Sequence, residues 1–123
     1  MNKQLNQHEL AELLDVDRTT IGAFQRRGMP YRSQGRGRPN LYDGPVCMHW
    51  FYGSERAKAA GVDDLPPAGV VVWNYLDAWM LCDEPESVWY PAAIDLARRA
   101  GAKKAEATAL VVRVLAERAK RTA

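Results

Sequence analysis

Leu10, Leu13 and Leu14 fall at the i, i+3, i+4 spacing of one helix face, with polar residues around them. The pattern predicts a short helix over residues 6–14, "NQHELAELL". Asn6 can cap its start, and Glu9 stands at the capping-box position three residues later. "DVD" breaks the pattern, and a second helix is predicted over 18–27, "RTTIGAFQRR", capped by Asp17. Its Ile21 and Phe24 point inward. Gly28 suits a left-handed stop, and Pro30 prevents continuation. Tyr31 and Leu41–Tyr42 read as strand ends around a glycine-rich tip.

Asp43 then caps a third helix with Pro45 in its first turn, running to about Ala60 and ending at Gly61. Its Val46, Cys47, Trp50 and Phe51 are suited to pack back on the first two helices. "VDDLPPAG", 62–69, reads as a linker. The rest reads as helical. An apolar, Trp-rich helix is predicted over 70–82, a turn at "DEPES", and a helix over 92–100 started by Pro91 and closed by Gly101. A long helix over 103–121 carries Leu110, Val111, Val114 and Leu115 on a broad apolar stripe. No internal repeat is visible.

Two short helices joined by a tight turn match a helix-turn-helix, and a hairpin after the second helix is a wing. The expected fold is therefore mainly α: a winged helix-turn-helix over 1–61, a linker over 62–69 and a helical oligomerisation region over 70–123. In such a motif the second helix lies in the DNA major groove and its N-terminal residues meet base edges. Arg18, Thr19 and Thr20 occupy that turn. Thr19, Gly22, Ala23 and Arg26 lie on or near the face opposite Ile21, where small residues permit close approach. Gln25, Arg26 and Arg27 are candidates for phosphate contact.

Charge sharpens this picture. The net charge of +2 says little, but its distribution is uneven. From Arg18 to Tyr42 there are six arginines (18, 26, 27, 32, 36, 38) and no acid, whereas residues 63–123 hold eight Lys/Arg against nine Asp/Glu. A basic stretch attached to a neutral remainder is the asymmetry expected of a module that binds double-stranded DNA. Within it, "RSQGRGRPN" over 32–40 offers Arg32, Arg36 and Arg38 around two glycines. Gly37 lets the chain lie flat, so Arg36 and Arg38 can spread along a narrow A·T minor groove or contact phosphates. The bland alternative is a solvated hairpin turn.

Other chemistry is less well supported. His8, Cys47, His49 and Cys82 match no zinc spacing. Trp73, Tyr75, Trp79, Trp89 and Tyr90 read as core or subunit interface rather than a ligand box. The charged run at 116–121 reads as the solvated end of a helix. No phosphate-binding loop, nucleophile elbow or HExxH motif is present, and Asp83, Glu84 and Glu86 cluster in a turn with no candidate partner. An enzyme is not expected, and neither is a cofactor. The most apolar run, "GVVVWNYLDAWMLC", is interrupted by Asn74 and Asp77 and is too short to span a bilayer. The expected setting is cytoplasmic, without a membrane partner.

The first 53 residues resemble the N-terminal winged-helix domain of bacteriophage terminase small subunits of the lambdoid type. The resemblance rests on "LAELLDVDRTTIGAFQRRGMP" and, after the basic glycine-rich loop, "LYDGPVCMHWFYG". Gly28-Met29-Pro30 matches the end of the family's helix-turn-helix. Leu41-Tyr42-Asp43 matches its return from the wing, and Trp50 and Tyr52 match a Trp-Tyr pair in the following helix. The resemblance implies recognition of packaging sites on viral DNA, a homo-oligomer, and recruitment of the terminase large subunit, an ATPase–nuclease, in the host-cell cytoplasm. Related winged helices in phage excisionases and mercury-resistance-type regulators define the alternative, a transcriptional or recombination factor. A purely structural interaction protein would leave the arginine cluster incidental.

Overall fold

A computed structural model describes residues 4–79 and 84–122. The described residues form six helices and one two-stranded sheet: β1 (Gln4–Leu5), α1 (Gln7–Leu14), α2 (Arg18–Arg26), β2 (Tyr42–Asp43), α3 (Gly44–Ala59), α4 (Pro67–Trp79), α5 (Glu86–Arg99) and α6 (Lys104–Thr122). The fold is mainly α, as expected. None of these helices is long and apolar enough to cross a membrane.

Local chemistry sets the helix ends. Asn6 and Glu9 form the capping box of α1: the Glu9 amide donates to Asn6 Oδ1 at 2.8 Å, and the Asn6 amide to Glu9 Oε1 at 3.0 Å. Asp17 caps α2 through the Thr19 amide, and Asp43 caps α3 through the Val46 amide. At the end of α2, Gly28 adopts φ +108°, which lets the Gly28 amide reach Gln25 O at 3.1 Å and the Met29 amide reach Phe24 O at 3.0 Å. Met29, just beyond, is buried. The same pair of bonds closes α3 through Gly61 and Val62, and α5 through Gly101 and Ala102. Asp15 takes the left-handed position after α1, a role the sequence pattern did not assign.

Two apolar clusters follow. Leu10, Ala11, Leu14, Ile21, Phe24, Met29, Tyr42, Val46, Cys47 and Trp50 form the first, together with Val71 of α4 and Leu96 of α5. Val72, Trp73 and Leu76 of α4 pack with Ala93 and Ala97 of α5 and Ala107, Val111 and Val114 of α6 in the second. Within 62–69, expected as a linker, Val62 and Ala68 are buried and α4 already begins at Pro67. Asp64 accepts from Arg113 of α6 at 3.0 Å. Val71, Val72, Trp73 and Leu76 of α4 are thus used inside the chain. This packing takes up apolar residues of the region expected to oligomerise, while Val88 and Val112 stay exposed.

Two further expectations change. Pro91 lies inside α5, which starts five residues earlier, at Glu86. The bond to the Ser87 carbonyl is forgone, on a stretch exposed to solvent. The earlier start lets Trp89 and Tyr90 pack against the second cluster. The charged end of α6 is not simply solvated. Arg118 pairs with Asp77 at 2.5 Å and lies 5.1 Å from the Trp73 ring, while Arg121 Nε donates to Ala60 O at 2.8 Å. The predicted helix over 70–82 is observed to Trp79; positions 80–83, with Cys82 and Asp83, and the Trp79 side chain lie outside the described residues.

α3 packs most extensively on α4, and Gly53 makes this possible. A Cβ at position 53 would stand 2.5 Å from the Val70 carbonyl oxygen and 2.9 Å from Asn74 Cβ. Beside this crossing Asn74, buried, donates to His49 Nδ1 at 2.9 Å and accepts from Arg56 at 2.8 Å. Burial, aided by the Arg99 charge, pushes the His49 pKa down, so the ring stays neutral and accepts this bond. Gly53→Ala would gain up to about 1 kcal/mol of helix propensity. Overpacking against a backbone oxygen costs about 1–3 kcal/mol, so it outweighs that gain. Gly53→Ala is therefore expected to lower the urea midpoint without changing the slope of the transition.

Candidate nucleic-acid interface

The candidate site is built on α2 and on the 32–41 segment. Asp15, Val16 and Asp17 form the turn between α1 and α2. Gln7 Nε2 donates to the Arg18 carbonyl at 2.9 Å, so the start of α1 holds the start of α2. Ile21 and Phe24 are buried, and the 100° step per residue then turns Thr19, Gly22, Ala23 and Arg26 outward. Thr19 and Arg26 are exposed; Gly22, Ala23 and Thr20 are half-buried. Arg18 is exposed at the first position.

Two predicted contact residues have structural partners instead of a free outward side chain. Gln25 Oε1 accepts the hydroxyl hydrogen of Tyr42, which ties α2 to β2. Burial raises the Tyr42 pKa, so this hydroxyl keeps its proton. Arg27 is exposed, but its guanidinium lies 5.9 Å from the Phe24 ring and 5.8 Å from Trp50, toward α3. It therefore flanks the outward face of α2 rather than lying on it.

The 32–41 segment closes through one antiparallel bridge. Arg32 and Leu41 exchange both backbone bonds at 2.8 Å. The next two residues, Tyr42 and Asp43, pair with Leu5 and Gln4 on β1. Between the bridge residues, 33–39 are all exposed. Gly35 at φ +106° and Gly37 at φ +80° reverse the chain in a conformation that side chains rarely adopt. The Arg38 amide donates to Gly35 O at 3.2 Å, and the Gly35 amide to Ser33 Oγ at 3.3 Å. Arg32, Arg36 and Arg38 all point from this exposed segment, and among the described residues none of the six arginines from 18 to 38 has an ion-pair partner.

Below the bridge the segment is anchored. Cys47 Sγ donates to Pro30 O at 3.4 Å, and burial pushes its pKa up to about 12, which keeps it a protonated thiol. Asp43 receives two bonds from Arg99 of α5, Nε to Oδ2 and Nη2 to Oδ1, each 2.8 Å. The sequence pattern assigned Asp43 only as a cap and gave Arg99 no role, because 56 residues separate the two. The histidines and Cys47 are dispersed: His8 pairs with Glu12 on α1, His49 with Asn74, and Cys47 with Pro30. Among the described residues no group of His, Cys, Asp and Glu is arranged to hold a metal ion.

A comparison with protein-family models finds no match, and neither does a comparison with curated proteins.

A Cβ at Gly22 would meet only Arg26 Nη1, at an ordinary 3.7 Å. Nothing in the free protein requires glycine mid-helix. Gly22→Ala is expected to stabilise the protein by up to about 1 kcal/mol, read from denaturant unfolding.

Proposed function

We propose that this protein binds double-stranded DNA without catalysing a reaction, through a winged helix-turn-helix. α2 enters the major groove and the 32–41 loop acts as the wing. One observation carries the reading: five arginines, Arg18 and Arg26 on α2 and Arg32, Arg36 and Arg38 on the loop, are exposed, lack acidic partners among the described residues, and lie on a segment that contains no acid. An arginine-rich surface with no internal use fits a polyanion. The antiparallel bridge at Arg32 and Leu41, continued by pairing of β2 with β1, supports the wing. Thr19, Ala23 and Arg26 face the bases, Arg18 and Thr20 flank them, and Arg32, Arg36 and Arg38 grip the backbone or the minor groove. Gln25 and Arg27 serve mainly to hold α2 in place.

By the resemblance of the first 53 residues, the duplex is a viral packaging site and the partner is a terminase large subunit. The protein is then the small, recognising subunit of the packaging motor and acts as a homo-oligomer. A second reading, a phage regulator or excisionase-like factor, gains support from the packing of α4–α6 onto the N-terminal half. There α4 and α5 share an apolar cluster with the N-terminal half, and α4, α5 and α6 share a second. Sedimentation distinguishes them: a large ring favours packaging, and a dimer favours regulation.

DNA binding itself is tested by two double variants. Arg36→Ala with Arg38→Ala is expected to lower the salt slope of log K by about 2 units if each arginine neutralises one phosphate, with similar loss on all sequences. Loss concentrated on A·T-rich flanks would assign the pair to the minor groove. An unchanged affinity and slope would make the tetrad only a turn. Arg18→Ala with Thr20→Ala is expected to cost discrimination between specific and random duplex, at about 1–3 kcal/mol per base contact. Equal loss on both DNAs would mean that this turn meets only backbone.

A further inference from the structure

The charge balance of residues 63–123 conceals a second basic segment. "RRAGAKK" over 98–104 holds four cations and no acid. It forms the corner between α5 and α6. Arg99 is used internally, bound to Asp43 and 3.6 Å from Asp95. Arg98, Lys103 and Lys104 are exposed and have no ion-pair partner among the described residues.

This corner stands beside the base of the arginine loop. A cleft of about 290 Å³ separates Tyr31 and Arg32 on one side from Arg99, Ala100 and Gly101 on the other, and Asp43 lies in its lining. The Asp43–Arg99 bonds fix the two sides relative to each other. Lys103 and Lys104 follow Gly101 by two and three residues, so the second cationic segment continues from the far side of the cleft.

Helix stability does not explain the two lysines. Lys104 opens a 19-residue helix and Lys103 immediately precedes it, where the macrodipole disfavours positive charge. Neither side chain covers the core. Their placement works against the free protein and favours an anionic partner.

We propose that the α5–α6 corner is a second backbone contact for duplex DNA, extending the interface from the arginine loop across the cleft to Arg98, Lys103 and Lys104. The inference rests on the DNA-binding reading above. The corner reads charge alone. It adds affinity on every sequence and none of the discrimination supplied by α2.

The test is Lys103→Ala with Lys104→Ala in the full chain, titrated by fluorescence anisotropy against a duplex long enough to pass the loop, across a salt series. Each lost phosphate contact lowers the salt slope by about 0.9, so the double variant is expected to lose about 2 units, equally on specific and random duplex. Its melting temperature is expected to stay the same or rise, because the lysines oppose the helix dipole. Lys103→Arg with Lys104→Arg keeps the charge and is expected to keep the slope. An unchanged slope in the alanine variant, alongside a reduced slope in Arg36→Ala with Arg38→Ala, overturns the second contact and leaves the DNA-binding reading intact. Loss in the alanine variant that the arginine variant shares equally also overturns it, since charge would then not be the cause. No binding of duplex by the wild type overturns both.

Discussion

The Asp43 carboxylate joins the two halves of the molecule. Its backbone pairs with Gln4 in the sheet, its side chain caps α3 through the Val46 amide, and both its oxygens accept from Arg99 at the end of α5. A planar guanidinium on a carboxylate fixes orientation as well as distance. The pair is mostly buried, with the side chains 12% and 23% exposed, so solvent screens it less than a surface pair. The hydrogen bond to Asp43 raises the Arg99 pKa further above its already high ordinary value.

Neighbouring residues carry this constraint to the outer surface. Tyr42 is almost fully buried and bonds Gln25 of α2, while Leu41 bridges Arg32 at the mouth of the loop. Three successive residues therefore hold the loop, α2 and α5. The exposed arginines other than Arg27 are carried on this anchored backbone. Structural duties fall on Tyr42, Asp43, Gln25 and Arg99, which leaves Arg18, Arg26, Arg32, Arg36 and Arg38 with charges that no other described group neutralises. In the proposed function, that separation leaves the free protein with a cationic surface available to DNA.

Features written into adjacent residues were legible in the sequence. The Asn6–Glu9 capping box, the Asp17 and Asp43 caps, and the stops at Gly28, Gly61 and Gly101 all depend on residues within about one turn of each other. So did the inward faces of α1 and α2. Contacts between distant residues were not legible. Nothing near Asp43 announces Arg99, and Gly53 reads as an ordinary helix glycine until α4 is seen crossing it at Val70 and Asn74. By local rules Pro91 reads as a helix start, because they disfavour an interior proline, and packing of Trp89 and Tyr90 overrides them. Within the candidate site, exposure of the arginines followed from charge and spacing. The inward engagement of Gln25 required Tyr42, 17 residues away.

The most direct measurement is a map of backbone amide shifts as a duplex is added to the isotope-labelled protein. The account predicts perturbations at Thr19–Arg26 and Gly35–Arg38, joined across the cleft by Ala102–Lys104, with the core amides of Val71 and Val111 unmoved. Perturbations confined to the α3–α4 surface, or none at all, would contradict it.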